Sequence, residues 1–280
     1  MRRRFSWLAT AAAMLALALF VAACGGGGDS TSAETGGGDS TEAESGGGKT
    51  ITVGSDIPYP PFEQGKPGEY TGFDVELLEA IAEATGRTAE FEDTSFDTIF
   101  VDLANGKFDV AASAATITPE REKTVDFTNP YYLSEQAILV EEGGEIDSVE
   151  KLKGATVGVQ KGTTGEEFVE EKGEASEVRP YPSGPDAVNA LKAGTVDAVV
   201  IDIPVAENAV ASSGDIEISA AIPTEENYGF VVDQGNEELL EALNEGLEKV
   251  KEDGTYAKIY EKWFHHEPPK AIFTATHTPE

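Results

Sequence analysis

The chain of 280 residues carries one cysteine, three histidines and only 20 lysines and arginines against 52 aspartates and glutamates. One cysteine cannot close an intramolecular disulfide. So few thiols and imidazoles also leave no zinc-ligand cluster; the adjacent pair His265-His266 has no ligand partner nearby and reads as solvated chain. The formal charge of −32 excludes nucleic acid as a partner, because gripping phosphates takes a basic face. The acids are scattered rather than blocked, which gives a solvated, self-repelling surface instead of an acidic binding tail. Beyond Phe20 no apolar run approaches the ~20 residues that a membrane-spanning helix needs.

What is present begins with a basic start, Arg2-Arg3-Arg4, an apolar run over 8–20, and small residues leading to Val21-Ala22-Ala23-Cys24. That order is the order of a secretory signal, and the run is too short to cross a bilayer about 30 Å thick. Because the small residues stop at the only cysteine, the segment resembles the bacterial lipoprotein signal (lipobox), with Val21 where leucine is more usual. The resemblance implies removal of residues 1–23, lipidation of Cys24 and attachment to the extracytoplasmic face of the cell membrane. Residues 25–48 contain only Gly, Ser, Thr, Asp, Glu and Ala. Such a segment cannot bury enough apolar surface to offset its ordering entropy, so 24–48 is expected to be a disordered tether reaching roughly 25–30 Å. Loss of the signal removes three arginines and no acids, taking the charge from −32 to −35.

The remainder repeats itself. Leu103-Ala-Asn-Gly106-Lys-Phe-Asp109-Val-Ala-Ala is echoed by Leu191-Lys-Ala-Gly194-Thr-Val-Asp197-Ala-Val-Val, each a helix end, a capping glycine, and an Asp opening a buried strand. Upstream, Ile51-Thr-Val-Gly54 is matched by Ala155-Thr-Val-Gly158. Strand, loop, helix, strand in both copies predicts two α/β lobes, each a mainly parallel sheet flanked by helices. Helices are expected with Leu77, Leu78, Ile81 and Ala82 behind an Asp74 cap, over 96–105, from Thr163 or Thr164, behind Ser183, and from Asn236 to Gly254. A last helix carries Tyr256, Ile259, Tyr260 and Trp263 and, with its predecessor, returns to the first lobe. The organisation is therefore lobe 1 over 49–137 and 228–264, lobe 2 over 138–227, and a frayed tail over 265–280. The chain crosses between lobes near 136–140 and 227–231, a two-segment hinge.

Open α/β sheets bind ligands beyond the carboxyl ends of their strands. The residues placed there are Asp56 and Tyr59; Ser113, Ala114, Thr116 and then Arg121; Gln160 to Thr164; and Asp202. They include no thiol, no imidazole and no nucleophile with an adjacent base, so acyl transfer lacks its parts. They do include what grips a small zwitterion. A guanidinium offers an α-carboxylate two parallel hydrogen bonds, with help from the N–H at Thr164, and a carboxylate such as Asp202 suits an α-ammonium.

Along 49–264 runs a set of motifs: Gly54-Ser-Asp-Ile-Pro-Tyr-Pro-Pro-Phe-Glu63, Gly72-Phe-Asp-Val-Glu-Leu77, Ala115-Thr-Ile-Thr-Pro-Glu-Arg121, Leu152-Lys-Gly-Ala-Thr-Val-Gly-Val159, Gly162-Thr-Thr164 and Asp253-Gly-Thr-Tyr256. In this order they resemble the polar amino-acid-binding proteins of bacterial ABC importers, solute-binding protein family 3. The resemblance implies a two-lobe periplasmic-binding-protein fold that closes on a free L-amino acid, without a cofactor, as a monomer that delivers its ligand to an importer permease. It also implies that Tyr59 and Phe96 sandwich the ligand side chain and that Ser113, Ala114 and Thr116 bond its α-groups. Arg121 and Thr164 would hold the carboxylate, Asp202 the ammonium, and Asp56 and Gln160 the distal end. Gln160 fits neither the basic-amino-acid binders, which commonly carry an apolar residue there, nor glutamine binders with a lysine. Its amide can pair with another amide, which ranks glutamine first, arginine or lysine next, and glutamate third, with Lys161 as the nearby cation. The alternative is an enzyme on the same fold, of the cyclohexadienyl or arogenate dehydratase kind, for which Asp56 is the sole candidate acid.

Overall fold

The computed structural model describes residues 49–279; the expected signal, Cys24 and the tether lie outside them. In chain order the elements are β1 (Lys49–Ser55), a hairpin of β2 (Gln64–Lys66) and β3 (Glu69–Thr71), α1 (Phe73–Ala84), β4 (Arg87–Asp93), α2 (Ile99–Ala104), β5 (Val110–Ala111), β6 (Val125–Phe127) and β7 (Tyr132–Glu141). They continue with β8 (Thr156–Gln160), α3 (Thr164–Lys172), β9 (Glu177–Tyr181), α4 (Gly184–Lys192), β10 (Ala198–Asp202), α5 (Ile203–Ser212), β11 (Ile216–Tyr228), β12 (Val231–Asp233), α6 (Glu237–Glu252) and α7 (Thr255–Phe264). Among the described residues no helix is long and apolar enough to cross a membrane.

Two sheets follow, in the orders β4-β1-β5-β12-β6 and β11-β7-β10-β8-β9. Both are mixed rather than mainly parallel. The strand–helix–strand units pair in parallel (β1 with β4 and β5, β8 with β9 and β10), as the repeat predicts. The antiparallel pairings come from the strands that enter and leave the hinge, β7, β11 and β12. In the second lobe both faces of the sheet are covered, so β10 is buried along its whole length. Its alternate residues take opposite sides: Ala198 and Val200 join Val169 of α3, while Val199 and Ile201 join Ala187 and Leu191 of α4.

The internal echo has a structural counterpart. Asp109 Oδ2 accepts from the Thr52 N–H at 2.8 Å, and Asp197 Oδ2 accepts from the Thr156 N–H at 2.7 Å. Each Asp thus ties the start of one strand to the matching threonine of its neighbour. Leu243 and Leu247 of α6 are buried in the same core as Leu78 and Ile81 of α1, and Gly246 of α6 lies against Ile81, where a Cβ would fall 2.8 Å from Ile81 Cγ2.

Three details differ from the sequence expectation. The stretch over 96–105 begins as a 3₁₀ turn, Phe96–Thr98, before α2. The crossing lies earlier than 136–140, because Gln136 to Leu139 already pair with β10, whereas Tyr131 N–H still bonds Tyr228 O. The segment after Phe264 packs on the first lobe instead of fraying. Ile272 is fully buried, Lys251 Nζ donates to its carbonyl at 2.8 Å, and His277 N–H donates to Asn129 Oδ1 at 2.9 Å. A short apolar anchor, Ile272, achieves this without the periodicity that a helix would advertise.

Candidate functional site

Past the carboxyl ends of β1, β5, β8 and β10 the two lobes close on a narrow cavity lined by Asp56, Tyr59, Phe96, Ser113, Ala114, Thr116, Arg121, Gln160, Thr163, Thr164 and Asp202. The ten residues that the resemblance assigns to the ligand are therefore brought together, with Thr163 beside them, whereas Lys161 is not among the lining residues. Two glycines let the lobes meet this closely. A Cβ on Gly184 would fall 2.7 Å from Tyr59 Cε2. One on Gly162 (φ +79°) would fall 3.2 Å from Asp97 Cα.

At one end stands Arg121, on a 3₁₀ turn and only 9% exposed. Its guanidinium lies over Phe100 (4.7 Å to the ring centre) and Phe96 (5.4 Å). It donates to Thr116 O at 2.7 Å and, across the lobes, to Gly162 O at 3.1 Å. Among the described residues no carboxylate forms an ion pair with it. Burial lowers its pKa, against the pull of Glu167, Glu226 and Asp202. A buried cation with donors to spare, next to the first turn of α3, is a receptor for an anion.

Asp202 closes β10 and sits at the N-cap position of α5, yet its side chain makes no capping bond. Instead it accepts from Tyr59 OH at 2.5 Å and from Gln136 Nε2 at 2.6 Å. Burial, then the charge of Glu226, pushes its carboxyl up to about 7, against the hydrogen bonds it accepts. Glu226 itself takes donors from both lobes: Thr116 Oγ1 at 2.6 Å, Thr164 Oγ1 at 3.1 Å and Gln136 Nε2 at 2.9 Å.

At the other end Asp56 accepts from Gln160 Nε2 at 2.5 Å, again across the lobes. Burial raises its carboxyl to about 7, with Asp93 and Asp97 adding to the rise. Lys161, the expected distal cation, is turned away to Asp97, its Nζ 2.8 Å from the carboxylate. Among the described lining residues the cavity is therefore acidic at Asp56 and at Asp202, with Glu226 behind it, and basic at Arg121.

Several residues here escape sequence reasoning. Glu226 and Gln136 lie inside strands, β11 and β7, and strand pairing brings them to the lining residues Asp202, Thr116 and Thr164, to which they hydrogen-bond. Phe100 is the nearer platform under Arg121, where the sequence offered it only as a helix face. Asp74 is not a cap: the N-cap of α1 is Gly72, and Asp74 points inward, fully buried, accepting from Ala114 N–H and Tyr131 OH. A Gly before the helix takes over the N-cap position and frees the acid of the first turn for another use. Among the described residues no cluster of histidine, cysteine and acids could hold a metal.

The comparisons with known proteins agree with this architecture. The model of the bacterial extracellular solute-binding proteins, family 3, matches residues 51–266. The chain is 34% identical over 219 residues to the L-cystine-binding protein TcyJ of Escherichia coli, covering 77% of this chain and 82% of the relative. A crystal structure of an ancestral arginine-binding protein bound to arginine is 43% identical with a TM-score of 0.74, covering 77% of this chain and 98% of that one, and there is a further structure of such a protein bound to glutamine. An ancestral amino-acid-binding protein described as a precursor of cyclohexadienyl dehydratase is 41% identical, with a TM-score of 0.71 over 77% of this chain and 95% of its own.

Proposed function

The chain belongs to the bacterial extracellular solute-binding proteins, family 3, and from that premise we propose that it captures a free polar L-amino acid between its lobes and hands it to an ABC importer permease. One observation carries the reading. A buried guanidinium from the first lobe, without an ion-pair partner among the described residues, and a buried carboxylate from the second face a single narrow cavity between the lobes. The α-carboxylate takes Arg121 with the N–H groups at the start of α3, and the α-ammonium takes Asp202 with Glu226 beside it. Ser113, Ala114 and Thr116 complete the shell, and Tyr59 and Phe96 flank the side chain. Each lobe offers only part of the partners, so closing the lobes is what satisfies the ligand fully.

The geometry reorders the ligands ranked from sequence. The pairing of Gln160 with Asp56 supports an amide partner, but among the described residues no cation pairs with Asp56, and Lys161 is occupied by Asp97. A cationic side chain would keep Asp56 ionised despite its burial. Arginine or lysine therefore comes first, glutamine second, and glutamate, which would need a distal cation, last. The solved ancestral relatives holding arginine and glutamine support both leading candidates. Thermal-shift screening of the purified protein against the twenty amino acids should raise the melting temperature most with L-arginine or L-lysine. No shift with any of the polar amino acids would overturn the reading.

The same proposal includes the anchor. Cys24→Ala should leave binding intact and release the protein from washed membranes, since stable attachment takes more than one acyl chain. Retention of the variant in those membranes would remove the anchor from the account.

A second reading has one observation behind it. Asp56, with its carboxyl near 7, could donate a proton close to neutral pH, and a similar protein is described as a dehydratase precursor. Prephenate incubated with the protein would lose its ring carboxylate as CO2 and its ring hydroxyl as water to give aromatic phenylpyruvate under that reading, and would be recovered unchanged under the transport reading.

A further inference from the structure

Beneath the loop carrying Ser113 and Ala114 lie two carboxylates that amino-acid recognition, as proposed, does not use. Glu63 and Asp74 are both fully buried. Backbone bonds splice their segments together: Phe73 N–H donates to Pro61 O and Asp74 N–H to Phe62 O, each at 3.0 Å. Gly72, at φ +144°, makes the splice possible, since a Cβ there would fall 1.9 Å from Phe62 O. Consecutive residues of the cavity loop then hold one carboxylate each. Ser113 Oγ donates to Glu63 Oε1 and Ala114 N–H donates to Asp74 Oδ2, both at 2.8 Å. Tyr131 OH adds a second donor to that Asp74 oxygen at 2.6 Å.

The remaining two oxygens, Glu63 Oε2 and Asp74 Oδ1, are buried and have no hydrogen-bond partner among the described residues. Neither carboxylate is ion-paired among the described residues. The charges that bear on Glu63 are all acidic, from Asp74, Asp56 and Asp202, and the hydroxyls facing the pair belong to Tyr59 and Tyr131. Two ionised carboxylates here would repel one another and leave both orphan oxygens unsatisfied. A single proton removes both costs, because one protonated oxygen becomes a donor to the other. We propose that Glu63 and Asp74 hold one proton between Glu63 Oε2 and Asp74 Oδ1 through neutral pH, and that this pair positions the Ser113–Ala114 loop for the ligand. The second half rests on the functional reading above; the first does not. Ala114 sits at φ +46°, in the left-handed region that favours glycine, and the bond from its N–H to Asp74 holds it there.

Burial pushes both carboxyls up, Asp74 to about 7, and Asp74 raises Glu63 further. The folded chain then keeps a proton that the unfolded chain releases above the ordinary carboxylate range. Stability attributable to the pair therefore falls as pH rises from about 4 through 7. In Asp74→Asn the amide nitrogen can donate to Glu63 Oε2 while its oxygen still accepts from Ala114, which replaces the proton with a fixed donor; Glu63→Gln does the same in mirror image.

Infrared difference spectra of the ligand-free protein at pH 6 should show a protonated-carboxyl band that both variants lose. The urea midpoint of each variant should fall less than that of wild type between pH 5 and pH 8. With L-arginine as probe, Asp74→Ala should bind at least tenfold more weakly than wild type, and Asp74→Asn should recover most of that loss. If Asp74→Asn does not fold, Glu63→Gln reads the same band and slope. A band and pH slope unchanged in the variants would overturn the shared proton, and wild-type affinity in Asp74→Ala would overturn the positioning role. Absence of L-arginine binding in wild type would count against the functional reading and leave the infrared result standing.

Discussion

Each half of the chain carries one aspartate at the start of a strand and another at or just past the end of one, and the protein treats the two kinds in opposite ways. Asp109 and Asp197 open β5 and β10 from exposed positions and accept from the threonine N–H of a neighbouring strand. Asp56, one residue past β1, and Asp202, the last residue of β10, are buried and have their carboxyls pushed up to about 7. The first pair is satisfied by its own fold. The second is held where its charge is unfavourable, with donors from the opposite lobe or the hinge strands, and that is the mark of a site waiting for a charge.

The comparison breaks most visibly at the charged ends of the cavity. Arg121→Ala or Asp202→Asn should abolish measurable amino-acid binding by calorimetry while circular dichroism stays native. Truncating one partner of a desolvated charge pair costs about 2–5 kcal/mol, roughly 30- to several-thousand-fold in affinity. A variant within threefold of wild type would undo the α-group assignment.

Asp56→Asn should be smaller and selective. Removing a charged acceptor costs about 1.5–3 kcal/mol, so L-arginine should weaken roughly 10- to 150-fold by calorimetry. L-glutamine, whose amide can pair with an asparagine, should change much less. Equal losses for both would place the side chain elsewhere.

The pH response separates the two pairs more gently. Asp56 and Asp202 have folded-state values near 7 against about 3.9 unfolded, so the folded protein binds their protons more tightly. Ligand-free stability should then fall as pH rises from about 4 to 7, and Asp202→Asn should flatten part of that slope in urea titrations. An identical slope in the variant would show that Asp202 is not held at a raised value.

Smallest of all, Asp109→Ala and Asp197→Ala should each cost about 0.5–1.5 kcal/mol of stability, the net value of a hydrogen bond, and leave ligand affinity untouched. A loss of affinity in either would erase the distinction between the two kinds of aspartate.

Much of this contrast is legible in the sequence, because strand-end positions follow directly from the repeated strand–helix–strand order. Helix caps are legible for the same local reason: Thr163, Ser183 and Asn236 each accept the N–H three residues on in their helix starts. What escapes is set by pairing at a distance. Gln136 and Glu226 are 90 residues apart in the chain and meet only because β7 and β11 pair. A register shift between Ile222 and Glu226 hides the inward direction of Glu226 from a simple alternation. Asp74 misleads by being ordinary, an acid in the first turn of a helix, until the loop over 59–63 folds beside it. Mixed sheets escape too, since antiparallel pairing is decided by how the hinge strands return and not by their composition.

The central claim, that the cavity holds both α-groups of one amino acid from opposite lobes, is tested most directly by calorimetry with L-arginine and its two one-charge analogues. Agmatine lacks the α-carboxylate that Arg121 would take, and Nα-acetyl-L-arginine lacks the ammonium assigned to Asp202. The account predicts binding of L-arginine and at least a 30-fold loss for each analogue. Either analogue binding within threefold of L-arginine would contradict it.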